Sequence, residues 1–220
     1  MRTGAAGGIA AKYLARRDSK VVGLIGAGMQ GRTQVLALLT VYERLEEVRI
    51  WDRREARIKE YISEMSPLCR EKARLLPVKN VKEAVEDADI IVTATPSRKP
   101  LVLDEWISEG THITCIGADA PGKEELDPKI LTHAKIYVDD WDQALHSGEV
   151  NVPLSKGIIT KEDIYGELCE VVAGLKPGRT SREEITVFSS TGLAIQDAVT
   201  AKLVYEKALA GNLGQWIEMI

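Results

Sequence analysis

The stretch Gly26-Ala27-Gly28-Met29-Gln30-Gly31, directly behind the apolar run 21–25, carries the strongest chemical signal in the chain. Its Gly-x-Gly-x-x-Gly spacing is that of a turn that binds the pyrophosphate of a dinucleotide. Gly26 permits the tight turn, Gly28 lets backbone approach the pyrophosphate, and Gly31 allows close packing of helix on strand. A helix opening at Met29 and Gln30 aims free N–H groups and its positive dipole end at that anion. The next strand ends at Trp51, and Asp52 follows it, 21 residues beyond Gly31. A carboxylate there accepts both hydroxyls of an adenosine ribose and repels a 2′-phosphate, which favours NAD. Arg53 and Arg54 come next, and two readings stay open for them. They are the solvated start of a helix, or a cationic seat for the 2′-phosphate of NADP.

Three more loops follow strand-like runs, where the ligands of an open parallel sheet gather. In Thr93-Ala94-Thr95-Pro96-Ser97, the hydroxyls of Thr93 and Thr95 either line the ribose and nicotinamide side of a cofactor or satisfy backbone groups. Gly117-Ala118-Asp119-Ala120-Pro121-Gly122-Lys123 sets a carboxylate and an ammonium on a glycine- and proline-shaped loop. A carboxylate at that rim can move a proton to or from a substrate amine; a plain solvated turn is the alternative. Ser189-Ser190-Thr191-Gly192 caps the last helix, which is compatible with facing a cofactor. His112, His133 and His146 lack partners at metal or triad spacing and read as surface or capping residues. Asp139, Asp140 and Asp142 read as a solvated loop at a strand end, and no metal site is expected.

Positioning these loops requires a sheet. Strands are expected at 21–25, 48–51, 75–78, 90–94, 112–116, 135–138 and 185–188, several of them continuous apolar runs of the kind buried on both faces. Helical runs alternate with them. Asn80 and Glu83 form a capping box, Ser66-Pro67 stops the helix after the second strand, and Asp127-Pro128 starts a short one. The alternation predicts an α/β fold with a doubly wound parallel sheet, a Rossmann arrangement of order 3-2-1-4-5-6, over residues 19–190. Residues 1–18 form a linking helix with Ala6, Ile9, Ala10, Tyr13 and Leu14 on one face. Residues 191–220 form a C-terminal helix with Ile195, Val199 and Leu203 on one face. Both stand outside that unit, and they pack on each other or reach across to something else.

The bulk composition narrows the function classes. With 45% apolar and 28% charged residues the chain suits a globular protein, and its net charge of −4 leaves no basic footprint for nucleic acid. No apolar stretch has the length of a membrane span. Cys69, Cys115 and Cys169 have no metal-ligand spacing and fit a reducing, cytoplasmic setting.

Several of these segments together resemble a known family, in order and over essentially the whole chain. They are Arg2-Thr3-Gly4-Ala5-Ala6-Gly7-Gly8, the Gly26 turn, the run 117–126, Val138-Asp139-Asp140 and the run 190–197. The family is that of ornithine cyclodeaminase and μ-crystallin, which also includes archaeal alanine dehydrogenase and cyclic imino-acid and ketimine reductases. The resemblance implies that Arg2 grips a substrate α-carboxylate, that Thr3 sits beside the cofactor, and that Asp119 is the acid/base group at the substrate amine. It places Lys123 and Ser189 or Ser190 near the nicotinamide. The implied reaction is hydride transfer from the α-carbon of a small L-amino acid to NAD, with alanine the first choice. Ornithine cyclisation, cyclic imino-acid reduction and a non-catalytic, μ-crystallin-like binding role are the alternatives. The implied partners are a small amino or imino acid and, in full-length members, a second copy in a homodimer. Members usually carry a long segment ahead of the Arg-Thr-Gly-Ala motif that builds most of the substrate and dimer domain. A chain opening at Met1 is therefore expected to bind cofactor with weak or absent turnover.

Overall fold

The apolar runs expected as strands are buried on both faces, and helices supply the cover. In the computed structural model, which describes residues 1–217, ten strands and nine α-helices are found among the described residues. The chain begins with α1 (Arg2–Leu14), β1 (Val21–Ile25), α2 (Met29–Val41), β2 (Glu47–Trp51), α3 (Glu55–Cys69) and β3 (Arg74–Pro77). There follow α4 (Val81–Val85), β4 (Ile90–Thr93), β5 (Arg98–Val102), β6 (His112–Cys115), β7 (Glu124–Leu126), α5 (Pro128–Leu131) and β8 (Lys135–Val138). The last stretch holds α6 (Trp141–Ala144), α7 (Asn151–Ser155), β9 (Ile164–Glu167), α8 (Leu168–Val172), β10 (Thr186–Ser189) and α9 (Ala194–Ala210). No helix among the described residues is long and apolar enough to cross a membrane.

Eight strands form one parallel sheet in the order β3-β2-β1-β4-β6-β10-β8-β9. This is the doubly wound α/β class expected, with the same first five places. The sixth place differs in detail: β10 pairs with β6, and β8 lies outside β10. All four residues of β10 are buried, so its backbone groups need partners on both edges, which only an interior place supplies. Side chains alternate across the sheet, as the two-residue period requires. Val22 and Leu24 of β1 join a core with Val35, Leu38 and Tyr61, whereas Ile25 joins Ile91, Ile113 and Val187 on the other side.

Local signals behave largely as read. Asn80 accepts from the Glu83 amide, and Glu83 accepts from the Lys79 amide, which starts α4. Asp127 accepts from the Lys129 amide ahead of α5. Pro67 does not stop α3, which runs two residues further to Cys69; a proline in a helix's final turn removes only one bond of the ladder. α1 lies against α2 so closely that a Cβ on Gly4 would stand 2.4 Å from the Thr33 carbonyl oxygen. Ala6, Ala10 and Leu14 are buried as expected, but Ile9 and Tyr13 are exposed and the glycines take their place in the contact. α9 has no buried residue, and Ile195, Val199 and Leu203 stay exposed.

His112 corrects another expectation. Instead of a surface or capping position, it is wholly buried at the start of β6, with its ring nitrogens bonded to the Thr186 and Thr114 hydroxyls at 2.9 and 3.0 Å. Burial drives its pKa down to about 3, so the ring is a neutral core group. His133 does lie at the surface, 2.6 Å from Asp104.

Candidate functional site

A cleft of ≈ 400 Å³ opens at the carboxyl ends of β1, β2 and β4, where the strand order reverses direction between β1 and β4. This is the crevice in which sheets of this class hold ligands. The three glycines of the turn behave differently there. Gly26 has φ +108°, and a Cβ on it would meet the Ala94 carbonyl oxygen at 2.5 Å. Gly31 supports the turn from below, a Cβ there falling 2.4 Å from the Gly26 carbonyl oxygen. Around Gly28 the space is open, with Arg57 Nη1 the nearest group at 3.6 Å. An anion can therefore reach the backbone at Gly28 and the first amides of α2, where Met29 and Gln30 are exposed.

Asp52 stands at the end of β2 and is tied on both oxygens. Oδ2 accepts from the Ala27 amide at 3.0 Å and Oδ1 from the Arg54 amide at 2.9 Å. The carboxylate thus braces the glycine turn, and each oxygen keeps a further lone pair for a ribose hydroxyl. Arg53, Arg54 and Arg57 line the same cleft with Trp51, and Thr95, Pro96 and Ser97 line its far wall. Arg57 carries no motif signal in the sequence; only α3 brings it round to Gly28.

The loops after β4 and β6 are joined by a carboxylate the motif reading did not single out. Glu125, wholly buried on β7, accepts from the Thr95 amide and hydroxyl, each at 2.7 Å, and from the Gly117 amide at 3.0 Å. Behind it, Glu149 Oε1 accepts from the Glu125 and Leu126 amides at 2.8 and 2.6 Å. Burial raises the pKa of Glu125. Burial, together with the neighbouring Glu125 charge, pushes Glu149 up to about 8. Asp119 stands exposed at the tip of the β6 loop, paired with Lys123. The Gly148 amide donates to the Ala118 carbonyl at 2.7 Å, tying this loop to the segment beside β10.

Asp139 corrects the expectation of a solvated loop. It is 5% exposed and accepts from the Ser190 hydroxyl and the Thr191 and Gly192 amides at 2.9, 2.8 and 2.7 Å. It therefore shapes the loop after β10. Gly192 in turn lies under the Arg2 guanidinium, and Arg2 Nε donates to Asp197 at 2.9 Å. Thr3 is half-buried, and its carbonyl accepts from Gln34 Nε2 at 2.8 Å. Among the described residues no group of three or more His, Cys, Asp or Glu is arranged to hold a metal ion.

The cleft brings together Gly26, Gly28, Asp52, Arg53 and Thr95. Arg2 and Asp139 line a different, apolar groove between α1, α8 and α9. Thr93 and Ser189 are fully buried, beneath the site rather than on its surface; the Ser189 hydroxyl accepts from the Glu149 amide. A dinucleotide fits the groups gathered here: an open backbone turn for a pyrophosphate and a braced carboxylate that accepts from ribose hydroxyls.

Comparison with known proteins finds relatives over nearly the whole length of the chain. The model of the ornithine cyclodeaminase/mu-crystallin family matches residues 1–212. An alanine dehydrogenase of Archaeoglobus fulgidus is 54% identical over 218 residues, which are 99% of this chain and 66% of that protein. An archaeal alanine dehydrogenase dimer with bound NAD superposes with a TM-score of 0.89 at 53% identity, covering 99% of this chain and 66% of the other. Delta(1)-pyrroline-2-carboxylate reductase of Thermococcus litoralis, in complex with NADH and L-proline, gives a TM-score of 0.93 at 43% identity, covering 98% and 66%. The chain thus spans about two thirds of the length of the relatives it matches. It belongs to the ornithine cyclodeaminase/mu-crystallin family.

Proposed function

We propose that the chain carries the dinucleotide-binding part, residues 19–190, of an NAD(H)-dependent oxidoreductase acting at the α-carbon of a small L-amino acid, in the manner of alanine dehydrogenase. The observation that carries this reading is Asp52, bonded at once to the glycine turn and to the start of α3 in a cleft the size of a cofactor site. The likeness to the archaeal alanine dehydrogenase with NAD supports the cofactor and the first choice of substrate. A bound nicotinamide supplies a hydride acceptor, or in reverse a donor.

The remaining roles fall to side chains. The Gly28 backbone and the amides of Met29 and Gln30 hold the pyrophosphate, and Asp52 takes the ribose hydroxyls. Asp119, exposed and next to the Lys123 ammonium, takes and returns the proton of the substrate amine. Arg2 holds the substrate carboxylate; its pairing with the largely exposed Asp197 is a surface contact that a carboxylate ligand can replace. Thr3, Lys123 and the Ser189–Ser190 loop border the nicotinamide end, Ser189 through the backbone it fixes. Residues 1–18 and 191–220 belong to the substrate-binding part, and the working form is a homodimer, as in the alanine dehydrogenase neighbour. Three free thiols, two of them buried, fit a reducing cytoplasm.

A second reading, reduction of a cyclic imino acid with the same groups run in reverse, is favoured by the fit to the reductase that holds NADH and L-proline. Titration with NADH and NADPH, followed through quenching of Trp51 in the cleft, tests the site; absence of binding by both removes it. Product analysis separates the reactions: ammonia with net NADH from alanine, proline without net NADH from ornithine, or consumption of NADH with a cyclic imino acid. Turnover of any of these substrates overturns the non-catalytic, μ-crystallin-like role.

A further inference from the structure

We infer that Glu125 is a positioning residue, the strut that holds the β4 and β6 loops together and so sets where Asp119 meets the nicotinamide end of a bound dinucleotide. The inference rests on the dinucleotide reading above. The two loops approach so closely that a Cβ on Gly117 would lie 2.1 Å from the Thr95 carbonyl oxygen. Their facing donors, the Thr95 amide and hydroxyl and the Gly117 amide, need an acceptor from inside the protein. Glu125 supplies one oxygen to each loop, Oε1 to Thr95 and Oε2 to Gly117.

The chain delivers this carboxylate from behind. β5 begins directly after the β4 loop and β7 directly after the β6 loop, and the two pair in parallel as a small separate sheet. Arg98 at the start of β5 also donates to the Pro121 carbonyl of the Asp119 loop at 3.2 Å. Glu149 then fixes the Glu125 backbone, and Ser189 at the end of β10 accepts from the Glu149 amide. Three strand ends around the nicotinamide side are thereby connected through two buried glutamates, the link to β10 being made by the Glu149 backbone amide. A buried carboxylate whose bonds run to N–H and O–H groups is costly, and apolar packing of the same volume would not align two polar loop edges.

The test compares NADH with ADP-ribose, which keeps the adenosine and pyrophosphate but lacks the nicotinamide, on the whole chain. In Glu125→Gln a side-chain NH₂ faces the Gly117 amide, two donors opposed. ADP-ribose affinity is expected to stay within about twofold, while NADH affinity falls roughly tenfold. Amide hydrogen exchange at 93–97 and 117–123 is expected to quicken in the unliganded variant, with β1 to β3 unchanged. Thr95→Val, which removes one donor, shifts the NADH to ADP-ribose ratio in the same direction by less, and decides the matter alone if Glu125→Gln does not fold. Parallel loss of both ligands, in step with a lower Tm, makes Glu125 merely structural and overturns the inference, as does an unchanged ratio. Wild-type protein that binds neither ligand overturns the dinucleotide reading itself, and the inference with it.

Discussion

Asp52 combines two tasks that a different residue type would separate. Its oxygens accept from Ala27 and Arg54 amides, so the turn and the start of α3 move as one unit, and the same oxygens face the cleft. Asp52→Ala is expected to weaken NADH roughly tenfold or more by isothermal titration, and NADPH by less, because the lost charge no longer repels a 2′-phosphate. Equal loss for both cofactors would contradict that repulsion. Gly26→Ala acts through the backbone instead: a non-glycine residue at φ +108° against the Ala94 carbonyl costs about 1–3 kcal/mol in denaturant unfolding and abolishes NADH binding. Asp119→Asn separates chemistry from binding. Asp119 itself is exposed in its pair with the largely covered Lys123, so NADH affinity holds while whatever oxidation of alanine the chain supports falls by roughly a hundredfold or more in a rate assay.

At the scale of elements, the short sheet of β5 and β7 governs the site more than its size suggests. It carries Glu125 on β7, and Glu149 seals it from below. Glu149 also makes stability depend on pH. Its folded pKa, about 8, lies above its ordinary value of 4.5. At low pH both folded and unfolded chains hold the proton and nothing is lost. As pH rises through that window the unfolded chain releases the proton and the folded one does not, so folding is weakened. Glu149→Gln keeps an acceptor for the Glu125 and Leu126 amides without the ionisation. Its Tm relative to wild type is expected to rise by roughly 4 °C or more between about pH 5 and about pH 8 in calorimetric scans, whereas a flat difference would show that folding does not raise the Glu149 pKa.

Over the whole molecule, apolar surface is distributed unevenly. The sheet is covered on both faces, yet α9 buries none of its residues and leaves Val199 and Leu203 61% and 52% exposed. Replacing both by lysine is expected to leave Tm within about 1 °C of wild type while lowering the emission of a bound apolar dye. A fall of several degrees would mean that this face is already packed in the chain as it stands.

The extent to which the molecule was legible in its sequence follows the reach of each signal. The glycine turn, the strand before it, Asp52 and the caps at Asn80 and Asp127 are encoded within a few residues, where periodicity and turn chemistry act, and all were readable. The place of β10 between β6 and β8 was not, because strand pairing is a contact between distant segments and leaves no local mark. Nor was the burial of His112, Asp139, Glu125 and Glu149. Polar residues near a strand end look alike in sequence whether they face water or an array of backbone amides. Residue types and their spacing determined what chemistry this protein can hold. Which carboxylates brace the loops that present that chemistry was decided only when the packed sheet closed around them and removed water as their partner.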